Sequence, residues 1–128
     1  MELSGYDLSA KADFGSEVKI LAPKSDEETD IVIRVVGANS ARYRNATVAA
    51  MVDFPMPDDA DSETLADIHF KRNAVKFAAC VTGWDNIELD GKPLEYSKDN
   101  ARLIVSRFYW IADQVGAHLS NDENFTGA

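Results

Sequence analysis

The sequence predicts an α+β domain, predominantly helical with about three helices, carrying an N-terminal β-hairpin and a short hairpin around Asp90-Gly91. That expectation rests on β-branched runs flanking a polar loop near the start, on apolar residues recurring at helical spacing further along, and on the Asp-Gly pair itself. The chain has 128 residues, 45% apolar and 27% charged, which fits a single globular domain over 1–128 and not a disordered segment. A domain of that size buries roughly 65–70% of its unfolded surface, enough for a core without staples.

Residues 1–16 are mixed and dotted with glycine (Gly5, Gly15), and are expected to form a flexible end, as are the mostly polar residues 120–128. Val18-Lys19-Ile20-Leu21 reads as a strand ended by Pro23. After the acidic loop 24–30, Ile31-Val32-Ile33-Arg34-Val35-Val36 reads as its hairpin partner, closed by Gly37. Ser40 is placed to cap a helix over residues 41–52, because its hydroxyl can accept from a free amide of the first turn. Pro55 and Pro57 end that helix, and the acidic run 58–63 precedes the next, where negative charge suits the helix dipole.

The second helix is expected over residues 63–81, stopped by Gly83. Turned at about 100° per residue, it sets Ala66, Phe70, Ala74, Phe77, Ala78 and Val81 on one apolar face, which Val75 and Ile68 extend. The narrow polar stripe left over holds His69, Arg72, Asn73 and Lys76. A helix so apolar belongs in the middle of its domain or between subunits. Residues 84–89 and 92–96 flank Asp90-Gly91, a favoured two-residue turn because both positions tolerate positive φ. Ser97 then caps a last helix over residues 98–119, with the stripe Ala101, Ile104, Val105, Phe108, Ile111, Ala112, Val115 and Leu119. Leu103 and Trp110, seven residues apart, fall on its other side.

The formal charge is −9, from 22 acidic and 13 basic residues. Such a field repels phosphates and anionic lipid, so a protein partner is expected, with no nucleic acid and no membrane. The start lacks a basic region followed by an apolar run, and no stretch approaches the roughly 18 apolar residues of a membrane span. One cysteine, Cys80, permits no internal disulfide. The cytoplasm is the expected address.

A catalytic site needs a nucleophile or base beside an orienting partner. His69 and His118 each stand without a second ligand at metal spacing, and Cys80 reads as a small buried hydrophobe at a helix end that does not favour a thiolate. The run Asp59-Ala60-Asp61-Ser62-Glu63 opens like a calcium loop, but Thr64 and Phe70 stand where glycine and glutamate belong. No enzymatic activity, metal or cofactor is expected. Two features suit binding: the stripe of His69, Arg72 and Lys76, which is otherwise a solvated face, and Leu103 with Trp110. Either Trp110 is an exposed interface anchor, or it is buried under the N-terminal hairpin.

The run Val81-Thr82-Gly83-Trp84-Asp85-Asn86-Ile87, followed by Asp90-Gly91-Lys92-Pro93-Leu94-Glu95-Tyr96-Ser97-Lys98-Asp99-Asn100-Ala101, resembles the tail assembly chaperones of long-tailed, siphovirus-type bacteriophages. The shared pattern is a helix ending in Gly-Trp, a short link, D-G-K-P-L, an aromatic, and a serine opening a helix. Upstream, the strand 31–36 with Gly37-Ala38-Asn39-Ser40-Ala41-Arg42-Tyr43 is similar to their strand, turn and helix, although Asn39 stands where Asp is frequent. Downstream, Asp122-Glu123-Asn124-Phe125 is similar to their usual ending, so the resemblance covers most of residues 17–126. Its signature residues, Ser40, Gly83, Trp84, Asp90, Gly91 and Ser97, are structural and mark no active site.

The resemblance implies a protein that coats the tape measure protein, keeps it soluble, and is lost as tail tube subunits polymerise around it. A longer form made by ribosomal frameshifting would recruit the tail tube protein, and this sequence would be the short form. It also implies self-association into homo-oligomers, a place in the host cytoplasm, and absence from the mature virion. The alternative is a structural virion component, such as a connector or tail terminator subunit.

Overall fold

The structure, a computed structural model, describes residues 1–126. The mixed helix-and-sheet class is as expected, with more helices and one more strand than the sequence suggests. Among the described residues five α-helices accompany a three-stranded antiparallel sheet and a two-stranded hairpin: α1 (Leu8–Phe14), β1 (Ser16–Leu21), β2 (Glu28–Val35), α2 (Ala41–Asp53), α3 (Ser62–Cys80), β3 (Val81–Asp85), β4 (Glu88–Leu89), β5 (Lys92–Pro93), α4 (Lys98–Arg107) and α5 (Tyr109–Leu119).

The expected N-terminal hairpin is present, with Val18 opposite Ile33 and Lys19 opposite Val32. It is part of a larger sheet of order β1-β2-β3, in which Ile33 also faces Trp84. Val81 was expected on the apolar face of the second helix and Gly83 as its stop; instead α3 ends at Cys80, and both residues lie in β3. Chain pairing along β2 supplies the backbone bonds that a further helical turn would have made, so tertiary contact overrides the local pattern. The inner face of the sheet buries Val18, Ile20, Ile33, Val35, Val81 and Trp84; outside, Arg34 and Asp85 pair at 3.0 Å.

The last helix is not continuous. Phe108, at φ −112° and ψ 83°, breaks it into α4 and α5. Three consecutive aromatics, Phe108-Tyr109-Trp110, would span about 200° of a straight helix and could not all face the core. At the break Phe108 and Trp110 both pack against the core, while Tyr109 turns outward onto Phe70. Of the expected stripe, Ala101, Ile104, Val105, Ile111, Ala112, Val115 and Leu119 are buried and Phe108 is half-buried.

α5 lies against β1 and β2, and α3 packs on α4 and α5 along one side and on α2 along the other. That central place buries Ile68, Ala74, Val75 and Cys80 and half-buries Phe77 and Ala78, whereas Ala66 and Phe70 of the expected apolar face stay exposed on its N-terminal half. The capping expectations hold: Ser40 accepts from the Tyr43 amide and Ser97 from the Asn100 amide, while Asp61 accepts from Thr64 to open α3. Ahead of β1, where no element was expected, a 3-10 turn (Ser4–Tyr6) and α1 form, and the Ala12 carbonyl accepts from the Gly37 amide. Beyond α5 a second 3-10 turn (Asp122–Asn124) seats Phe125 in the core; the last two positions of the expected flexible end, 127–128, lie outside the described residues.

Candidate partner-binding surfaces

The signature residues from Gly83 to Ser97 lie on the stretch that joins α3 to α4. The indole N–H of Trp84 donates to the Leu94 carbonyl at 2.8 Å, and the Tyr96 hydroxyl donates to the Val81 carbonyl at 2.9 Å. The two rings meet edge to face with centroids 5.3 Å apart. Between them Asp90 (φ 54°) and Gly91 (φ 80°) reverse the chain, so β4 and β5 fold back beneath the end of β3. Gly83, Trp84, Asp90, Gly91 and Ser97 thus lie along the passage from α3 into α4, while Ser40 caps α2.

The expected basic stripe is divided by the packing. Arg72 and Lys76 are half-buried and face α2: the Arg72 Nε donates to the Phe54 carbonyl at 2.9 Å, and the Lys76 ammonium stands 5.6 Å from the Tyr43 ring centre. His69 stays exposed. The geometry therefore brings Arg72 and Lys76 to an internal helix contact, while His69 on the same helix stays exposed.

Leu103 and Trp110 do not share a face either, because the break at Phe108 lies between them. Leu103 is exposed on α4, while Trp110 is half-buried against the core. On α5 the exposed aromatic is Tyr109 instead, 60% exposed and stacked on Phe70, itself 40% exposed, with ring centres 5.4 Å apart. This pair closes one end of a groove of about 310 Å³ between α3 and α5, floored by Ala74, Phe77, Ala112 and Gly116, with Asp113 as the charged group in its lining. The run of three aromatics was its sequence signal, hidden by the assumption of one straight helix.

A second apolar surface lies on α2. Ala46 and Ala50 are buried against the domain, whereas Val48, Met51 and Val52 point away and are 63%, 54% and 72% exposed. Apolar residues on both sides of residues 41–52 were the available signal.

The reactive side chains are scattered. His69 is on α3 and His118 on α5, and among the described residues no three His, Cys, Asp or Glu side chains cluster to hold a metal. His118 Nε2 lies 2.9 Å from the Ser16 hydroxyl, and its ring meets Phe125 edge to face; the bond ties β1 to α5. Burial pushes the His118 pKa below its ordinary value. Cys80 is fully buried, and desolvation raises its thiol to about 11, far from a nucleophile's range. No helix among the described residues is long and apolar enough to cross a membrane.

Comparison with known protein families, with curated proteins and with solved structures found no match to this chain.

Proposed function

We propose that this chain is a bacteriophage tail assembly chaperone, working by binding other proteins and not by catalysis. It holds the tape measure protein in solution in the host cytoplasm and, through a longer frameshifted form, helps recruit tail tube subunits. The observation that carries this reading is the ordered signature from Gly83-Trp84 through Asp90-Gly91-Lys92-Pro93-Leu94 to Ser97.

The groove between α3 and α5 suits the task. Its aromatic end and its floor of Ala74, Phe77, Ala112 and Gly116 can receive apolar side chains spaced three and four apart on a partner helix, while Asp113 can meet a basic group on that helix. His69 and Leu103, both exposed, are further contact candidates.

Co-expression with the tape measure protein of the same phage tests the proposal. The chaperone should carry that protein into the soluble fraction and co-purify with it, and mass spectrometry of finished particles should not find the chaperone. An insoluble tape measure protein in its presence, or stoichiometric retention of this chain in particles, would refute the reading; retention is the result expected of a connector or terminator subunit.

A further inference from the structure

We propose that the channel between α2 and α4 is a docking site for an acidic, amphipathic helix of another protein. α2 and α4 each pack on α3 but hardly on each other, so α3 is left as the base of an open channel between them. The channel holds about 550 Å³, with Ala46, Ala49 and Ala78 giving it a floor of short side chains. Arg42 joins its lining from α2, three and four positions from the next groove-facing residues, and Lys98 with Arg102, four apart, join it from one face of α4.

The charge of the channel says what fills it. Arg42, Lys98 and Arg102 are all exposed, and among the described residues none of them makes a salt bridge. Asp99 is the one carboxylate in the lining and is likewise outside any salt bridge, so three cations and one anion leave the channel at +2. The whole chain carries −9, which puts −11 on the surface outside the channel. Positive charge is therefore gathered at one place on a protein that repels anions everywhere else.

That contrast selects a short acidic segment. A helix lying in the channel can set carboxylates four apart against Lys98 and Arg102 on one wall and another against Arg42 on the opposite wall. Its small apolar residues then lie over Ala46, Ala49 and Ala78, whose short side chains allow axes to approach toward the lower end of the usual 8–10 Å. A nucleic acid would carry its phosphates past the channel onto the acidic surface, and an anionic bilayer would meet the same repulsion over a wider area.

The α2 wall from Arg42 to Ala49 is about 10 Å long at 1.5 Å per residue, so about two turns of the partner make contact. An interface that small, held largely by exposed charges, is reversible and weakened by salt. The channel shares no lining residue with the groove between α3 and α5, and this inference does not rest on the phage reading.

Nuclear magnetic resonance of the isotope-labelled full chain tests it with three probes. The first is a peptide of about four helical turns, built from Ala, Leu and Glu with glutamates on both flanks of an apolar stripe. The second is the same peptide with Lys for Glu, and the third is a single-stranded DNA oligonucleotide. The acidic peptide should shift the amides of residues 42–49, 75–79 and 98–102, and its affinity should fall as salt rises. Arg42→Glu with Arg102→Glu should weaken that binding roughly tenfold or more and admit the lysine peptide instead. Circular dichroism of this double variant should be unchanged, because both side chains are exposed. No shift in the channel at millimolar acidic peptide would overturn the proposal, as would equal binding of the lysine peptide to the natural chain. Tighter binding of the oligonucleotide, or shifts confined to the groove of Phe70 and Tyr109, would overturn it too, and each result leaves the tape measure experiment to be judged by itself.

Discussion

Gln114 satisfies both backbone polar groups of Leu21: its carboxamide oxygen accepts from the Leu21 amide at 2.7 Å, and its nitrogen donates to the Leu21 carbonyl at 3.0 Å. The side chain stands in for a neighbouring strand at the end of β1, an edge of the sheet whose open backbone groups could pair with another chain. Gln114→Ala should cost about 1–2 kcal/mol, lower the melting temperature and hasten aggregation on warming. Gln114→Glu should cost at least as much, because a carboxylate would face the Leu21 carbonyl. Thermal unfolding followed by light scattering reads both effects; unchanged curves would mean that water replaces the amide without loss.

Gly116 lies where α5 crosses Phe77, and a Cβ there would come 2.6 Å from the tip of the ring. In an unobstructed helix, Gly→Ala gains about 1 kcal/mol. Here the sign should reverse, with Gly116→Ala costing about 1–2 kcal/mol through overpacking. Phe77→Leu in the same chain should recover part of that loss. Chemical denaturation of the two variants decides it. A stabilised single variant would mean that the ring swings into the adjoining groove freely.

Arg72 reaches across to the Phe54 carbonyl, which closes the C-terminal end of α2. A guanidinium there both hydrogen-bonds the last turn and meets the negative end of the dipole. Arg72→Glu should therefore destabilise the domain by about 2 kcal/mol or more, and should loosen α2 before the sheet. Hydrogen exchange resolves this: α2 amides should lose protection first. Equal protection throughout would place the guanidinium outside the stability of α2.

Much of this architecture was legible because it is written locally. Ser40 and Ser97 cap helices as their hydroxyls allow, Asp90-Gly91 turns the chain, and the stripe from Ala101 to Leu119 is the buried one. What escaped was set by distant contact. β3 exists because β2 offers an edge, although Val81-Thr82-Gly83 continues a helical pattern without a proline. The break at Phe108 has no glycine or proline to announce it; it follows from where three aromatics must go. The stripe of His69, Arg72 and Lys76 looked solvated because helical spacing gives only one helix's face, and α2 arrives from another part of the chain. The same reasoning settles Trp110 as a half-buried core neighbour, so Trp110→Ala is a stability variant before it is a binding one.

Cys80 is fully buried at the end of α3, with its thiol raised to about 11 by burial. Thiolate, not thiol, attacks aromatic disulfide reagents. In the native protein at about pH 8 the reagent should therefore modify Cys80 only through opening of the fold, orders of magnitude more slowly than in denaturant. Labelling time courses with and without urea give the comparison. Fast stoichiometric labelling of the native chain would show that α3 frays at this end.

His118 should impose a pH dependence of known sign. Burial holds its folded pKa below the ordinary 6.5, so the unfolded chain takes up its proton more readily than the folded one. Stability from this group is then complete above about pH 6.5, declines as pH falls below that value, and levels off once pH has passed the lowered folded pKa. His118→Gln removes the titration and keeps a side chain able to bond the Ser16 hydroxyl. Urea midpoints at about pH 7.5 and about pH 5.5 should therefore differ more for the natural chain than for the variant. The difference of those differences isolates His118, because every carboxylate and His69 are common to both. If the variant showed the larger drop, the imidazolium would be stabilised in the fold, and the link between β1 and α5 would tighten on protonation.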